Sequence, residues 1–163
     1  MGYQGQVRFE DAPQLAGGHV CQAIPPQYGP RADRTKRRYY PYDLQDDREP
    51  TWPLEVATVG SRFTGRGQFT NLSQAELGLL LIALGQGEWE LCPRLGAGKA
   101  SGLGGAGVEN LVAEAWQTDQ AYRSFSSETW QPVDMAACLA AARPLLRTDV
   151  LTRLAEDLSE KST

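Results

Sequence analysis

Apolar positions recur along this chain in two registers, one of period two and one near 3.6, and they separate extended from helical stretches. In residues 3–9, Tyr3, Gly5, Val7 and Phe9 fall on one face of an extended segment, which predicts a half-buried strand. Alternation returns over 54–59 (Leu-Glu-Val-Ala-Thr-Val), Gly60-Ser61 reads as a turn, and 62–70 reads as a further strand. These last two stretches fit either a hairpin or one long bent strand. The segment 11–53 holds seven of the ten prolines and predicts a long insertion without regular structure. A loop that long inside a compact domain is usually functional or ordered by a partner.

The clearest helical signal begins at Asn71. Ser73 and Glu76 have the spacing of a capping box, Leu77, Leu80, Leu81 and Leu84 follow at helical intervals, and Gly85 ends the run. Glu88 to Leu95 reads as extended and leads into a glycine-rich segment at 96–107, after which Val108–Trp116 reads as a strand. Met135–Ala142 and Val150–Leu158 predict two C-terminal helices separated by Pro144. The expected organisation is a domain over 1–128, with an insertion at 12–53 and a glycine-rich loop at 96–107, followed by a helical extension over 129–163.

Composition narrows the function classes. With 163 residues, 41% hydrophobic and 22% charged, and with 17 Gly, the chain is too apolar for a disordered protein and too turn-rich for a helical bundle. No run approaches the roughly 18 apolar residues of a membrane span, and the first residues show no signal peptide, so a cytoplasmic protein without membrane contact is expected. Cys21, Cys92 and Cys138 are odd in number and widely spaced, and His19 is the sole histidine. They outline neither a disulfide framework nor a metal site, and no cofactor or catalytic residue is assigned.

Charge is uneven. The formal net charge is -4, yet Arg31, Arg34, Lys36, Arg37 and Arg38 crowd into eight positions and run directly into Tyr39-Tyr40-Pro41-Tyr42. Guanidinium groups that meet phosphate beside rings that stack on unpaired bases suit single-stranded RNA. The competing interpretation is a solvated loop whose tyrosines close over the core.

Three mechanisms compete for the glycine-rich segment. A phosphate-cradling nucleotide loop fails, because Pro93 stands where the first glycine is needed and Ala100 where Ser or Thr would hold magnesium. Gly102, Gly104 and Gly107 match the spacing of a dinucleotide-binding turn, but no strand–helix–strand unit surrounds them. The third is a loop whose backbone amides and Lys99 lie against a nucleic-acid backbone, a close approach that glycine permits. A β-connection with no ligand remains the plain alternative.

An ordered set of motifs favours the third. Arg62-Phe63-Thr64-Gly65 through Phe69-Thr70-Asn71-Leu72-Ser73 is followed by Glu76-Leu77-Gly78, Leu79-Leu80-Leu81 and Ala83-Leu84, and then by Leu95-Gly96-Ala97-Gly98-Lys99-Ala100-Ser101-Gly102-Leu103-Gly104. In order and spacing this resembles the RAMP superfamily of CRISPR-associated proteins. Val7 to Ala12 is similar to the family's strand ending in Asp-Ala, and Lys36-Arg37-Arg38-Tyr39-Tyr40 resembles a basic-aromatic segment of some members. The similarity spans residues 5–110.

The resemblance implies an α+β, ferredoxin-like (RRM-like) domain in a type III-like CRISPR effector ribonucleoprotein of antiviral defence. Its implied partners are CRISPR RNA, with target RNA as a further candidate, and other effector subunits. Carried over by position, it implicates Gly96, Gly98, Lys99, Gly102 and Gly104, together with Arg37, Arg38, Arg94, Tyr39 and Tyr40. The chain starts almost at the Asp-Ala strand, so the family's catalytic aspartate has no counterpart and Asp11 is not assigned that role. A shortened domain is expected, its sheet completed by another chain or covered by the C-terminal helices. The alternative function is a structural module of such a complex without RNA contact. Metal-dependent RNA cleavage through Asp11, Asp33, Asp43, Asp46 or Asp47 is a distant third.

Overall fold

The computed structural model describes residues 6–24, 52–99, 103–116, 118–123 and 129–159. The chain is α+β, with small antiparallel two-stranded sheets and four α-helices among the described residues. It divides into two compact units. One comprises Met1–Leu72, Arg94–Gly105 and Glu160–Thr163, and the other Ser73–Pro93 and Ala106–Ser159.

The first unit is built on a long ribbon. Strand β1 (Val7–Phe9) pairs with β6 (Gly67–Phe69), β2 (Gln14–Ala16) with β5 (Arg62–Phe63), and β3 (His19–Ile24) with β4 (Trp52–Ala57). Val7 lies opposite Phe69 and His19 opposite Ala57, so the three pairings are successive stretches of one rising arm against one descending arm. The interruptions have local causes. Glu10 N–H donates to Arg66 O (2.9 Å) while Thr64 N–H donates to Pro13 O (3.1 Å), which leaves one extra residue on the rising arm, as in a β-bulge. The register shifts again between Gln14 and Ala16. On the descending arm, Ser61 N–H donates to Thr58 O (3.1 Å), and Gly60 takes φ +81° in the turn this makes.

This arrangement decides between the two expectations for 54–59 and 62–70: they do not pair with each other but follow one another along a bent arm. It also corrects the expectation of an irregular 11–53. Gln14–Ala16, His19–Ile24 and Trp52-Pro53 all lie in strands, while 25–51 fall outside the described residues. Val20, Gln22 and Ile24 stand on one face of β3 opposite Val56, Leu54 and Trp52. The prolines clustered nearby masked that alternation, although Pro53 is tolerated on this two-stranded ribbon.

The second unit centres on two helices. Helix α1 (Gln74–Ala83) starts with the expected capping box: Ser73 Oγ accepts from Glu76 N–H (3.3 Å), and Glu76 Oε2 accepts from Ser73 N–H (2.8 Å). The backbone and side-chain hydrogen bonds from Ser73 favour the charged carboxylate and hold the Glu76 pKa below its usual value. Gly85 closes the helix at φ +83°. Leu77, Leu81 and Ile82 are buried, and so are Cys138 and Ala142 of helix α3 (Met135–Ala142), which packs on α1. Gly78 makes that packing possible, because a Cβ there would collide with the Cys138 carbonyl and the Ala142 methyl. Asp134 caps α3 by accepting from Ala137 N–H (3.0 Å). Burial, aided by the nearby Asp134 charge, pushes the Cys138 thiol pKa up.

Strand β7 (Glu114–Trp116) pairs with β8 (Trp130–Pro132), and the short helix α2 (Thr118–Arg123) falls between them in the sequence. A two-stranded sheet is marginal alone. Here Trp116 and Trp130 stand directly opposite and meet edge-to-face, with centroids 5.4 Å apart and planes at 72°. Such a pair contributes roughly 0.5–1.5 kcal/mol beyond the area it buries.

The expected strand over Val108–Trp116 is shorter than its apolar pattern implied. Asn110 takes φ +53°, a left-handed conformation that breaks extended pairing, and only Glu114–Trp116 is a strand. Nor is Glu88–Leu95 a continuous strand. Glu90 takes φ +44°, and Arg94 alone forms a bridge, to Gly105. After a 3-10 turn at Arg143–Leu145, which contains Pro144, helix α4 runs over Thr148–Ser159.

Candidate nucleic-acid interface

The glycine-rich loop is held by contacts that begin with its backbone. Leu95 N–H donates to Gly104 O (2.8 Å), Arg94 bridges Gly105, and Leu103 N–H donates to Gly98 O (3.2 Å). Three of the glycines named from the sequence sit in the left-handed region: Gly96 at φ +82°, Gly98 at +77° and Gly104 at +82°. Two of them carry a steric requirement as well. A Cβ on Gly104 would collide with the Leu95 carbonyl, and one on buried Gly98 would lie 3.1 Å from Leu54 Cδ2 and 3.0 Å from Leu103 Cδ1. Gly96 has open space, so its conformation alone favours glycine.

The Gly98 contact explains where the loop sits. Leu54 lies on the face of the β3–β4 ribbon that also carries Val20, Val56 and buried Ile24. The glycine backbone presses against Leu54 on that face without a side chain between them. The opposite face, with His19, Cys21, Ala23, Pro53, Glu55 and Ala57, is exposed throughout. Glycine in this loop therefore serves packing as well as conformational freedom.

Docking the loop sends its two cations in different directions. Lys99 is exposed. Arg94 turns inward: its Nη1 donates to Lys99 O (3.3 Å), while Nε and Nη2 are shut off from solvent. Arg94 thus braces the turn that presents Lys99. The structure brings Arg94, Gly96, Gly98, Lys99 and Gly104 together in one loop, whereas Arg37, Arg38, Tyr39, Tyr40 and Gly102 lie outside the described residues.

Sequence reasoning passed over three further cations in this unit. Arg8, Arg62 and Arg66 are exposed on the ribbon, and their guanidinium groups make no hydrogen bond or ion pair among the described residues. The signal was present, since Arg62, Thr64, Arg66 and Gln68 occupy alternate positions of the stretch read as a strand.

Charge separates the two units. The sequence spans of the first hold 12 basic and 9 acidic residues, and those of the second 4 basic and 11 acidic. A chain that is acidic overall therefore contains a net basic unit, and the candidate RNA-binding residues named from the sequence fall within its spans. Among the described residues no group of three or more metal-ligating side chains gathers. No helix among them is long and apolar enough to cross a membrane. Comparison with protein-family models, with curated proteins and with solved structures finds no match to this chain.

Proposed function

We propose that this chain is a non-catalytic, CRISPR RNA-binding subunit of a type III-like effector ribonucleoprotein. The observation that carries the reading is the coincidence of the motif-bearing loop with the basic unit. Within the motif that resembles the RAMP superfamily's glycine-rich loop, Gly98 packs against Leu54 of the β3–β4 ribbon and Lys99 is exposed, in the part of the chain with a positive charge balance. Glycine backbone that admits close approach and an exposed ammonium suit a phosphodiester backbone. In this reading Lys99 contacts phosphate, Arg94 positions the turn, and Arg37, Arg38, Tyr39 and Tyr40 add charge and stacking surface.

We take the paired strands of the first unit as part of the ferredoxin-like domain that the resemblance implies.

Salt titration of RNA binding is the test. A labelled single-stranded RNA should bind the full chain with an affinity that falls steeply as salt rises. Lys99→Ala should weaken binding and flatten the slope by about 0.7, the share of a single phosphate neutralised on a single strand. Unchanged affinity and slope in Lys99→Ala would remove that residue from the interface. A chain that binds other effector subunits in high salt and no RNA would be a structural module instead.

A further inference from the structure

The ribbon of the first unit has two chemically different faces. Val7, Phe9 and Phe69 share one, with the Phe9 ring lying over Gly67. The other carries Arg8 opposite Gln68, with Glu10 opposite Arg66 one step further along. The extra residues of the ribbon's lower part fall on the rising arm, and the descending arm carries no insertion between Arg62 and Phe69, so a period-two count applies along it. That puts Arg62, Arg66 and Gln68 on the same side, with Arg8 across from Gln68. Arg8 and Arg66 are then diagonal neighbours about 7–8 Å apart. Arg62 lies roughly 13 Å further along the arm.

We propose that this face is a second phosphate-contacting track for single-stranded RNA, with Arg8, Arg66 and Arg62 as its three cations. The inference rests on the RNA-binding reading above and extends it to residues outside the glycine-rich loop. Three guanidinium groups without a protein partner among the described residues are arrayed along roughly 20 Å, a span that takes in several phosphates of one strand. Each presents a planar fork of donors that matches phosphate oxygens. Two carboxylates lie close by. Glu10 Oε1 accepts from Gln68 Nε2 (3.0 Å), a bond that ties it to the ribbon, and Asp11 follows it at the bulge. The face keeps a net positive charge with both counted.

The experiment uses the full chain, a fluorescein-labelled single-stranded RNA and fluorescence anisotropy across a salt series. Arg8→Gln/Arg62→Gln/Arg66→Gln should lower affinity at least tenfold at low salt and flatten the log–log salt slope by about two, near 0.7 for each phosphate. Arg8→Lys/Arg62→Lys/Arg66→Lys should keep most of the slope, which separates removal of charge from failure to fold. Circular dichroism matching the unsubstituted chain establishes that each variant is folded. Unchanged affinity and slope in the folded Gln variant, while Lys99→Ala still weakens binding, would overturn the track and leave the loop reading standing. No RNA binding by the unsubstituted chain would overturn both. Displacement of the RNA by polyglutamate at equal charge concentration would overturn the track in favour of an acidic protein surface.

Discussion

Substituting Gly98 tests whether the loop is held by the ribbon. Gly98→Ala forces a Cβ into the left-handed region, at roughly 1–2 kcal/mol, and sets a methyl 3.1 Å from Leu54 Cδ2 and 3.0 Å from Leu103 Cδ1. Both neighbours are side-chain ends and yield by a few tenths of an ångström, so the steric part sits at the low end of overpacking, about 1 kcal/mol on top. Gly96→Ala, at φ +82° in open space, should cost the conformational part alone. The readout is amide exchange at Leu103 and Leu95, whose N–H groups bond Gly98 O and Gly104 O. Protection at Leu103 should fall about tenfold or more in Gly98→Ala, since 1.4 kcal/mol is a factor of ten. Leu54→Ala in the Gly98→Ala background should recover part of it, with a coupling of at least about 0.5 kcal/mol. Equal losses in Gly96→Ala and Gly98→Ala with no coupling to Leu54 would refute the docked loop.

The helical unit offers two further checks. Ser73→Ala should destabilise α1 by about 1 kcal/mol and Ser73→Gly by only a few tenths, read by urea denaturation. Because the folded Glu76 pKa lies below its unfolded value, the cap's contribution is present above the unfolded pKa near 4.5 and is lost as pH falls through the folded one. The stability difference between the parent and Glu76→Ala should therefore shrink below that pH. Gly78→Ala should lower the thermal midpoint through a destabilisation of about 1–3 kcal/mol, because its methyl meets the Cys138 backbone carbonyl, which yields less readily than a side-chain tip. An unchanged midpoint would contradict the close α1–α3 approach.

What was legible from sequence follows the range of the interactions. The capping box at Ser73 and Glu76, the stop at Gly85 and the helix Met135–Ala142 depend on residues within a turn or two, and they stand where the pattern put them. Strands were legible as extended stretches but not as pairs. Nothing local says that Gln14 faces Phe63 or that Val20 faces Val56, and the prolines of 11–53 hid the alternation of β3. The left-handed Asn110, which cuts short the strand expected from Val108, carried a local signal in its residue type, since Asn enters that region more readily than most, but the apolar alternation around it outweighed it. At the candidate site the glycines were singled out for the close approach to a nucleic-acid backbone that they permit; the positive φ values of Gly96, Gly98 and Gly104 are a separate, conformational reason for glycine. The packing reason for Gly98 was out of reach because Leu54 belongs to another strand, and the inward turn of Arg94 depends on the closed shape of its own loop.

The central claim, that the chain holds guide RNA within an effector, is tested most directly by a tagged pull-down from the native host at low salt, with the co-purifying RNA sequenced and the proteins identified. The account predicts repeat-derived guide RNA together with other effector subunits, and release of the RNA as salt is raised. Recovery of the chain alone and free of RNA would contradict it.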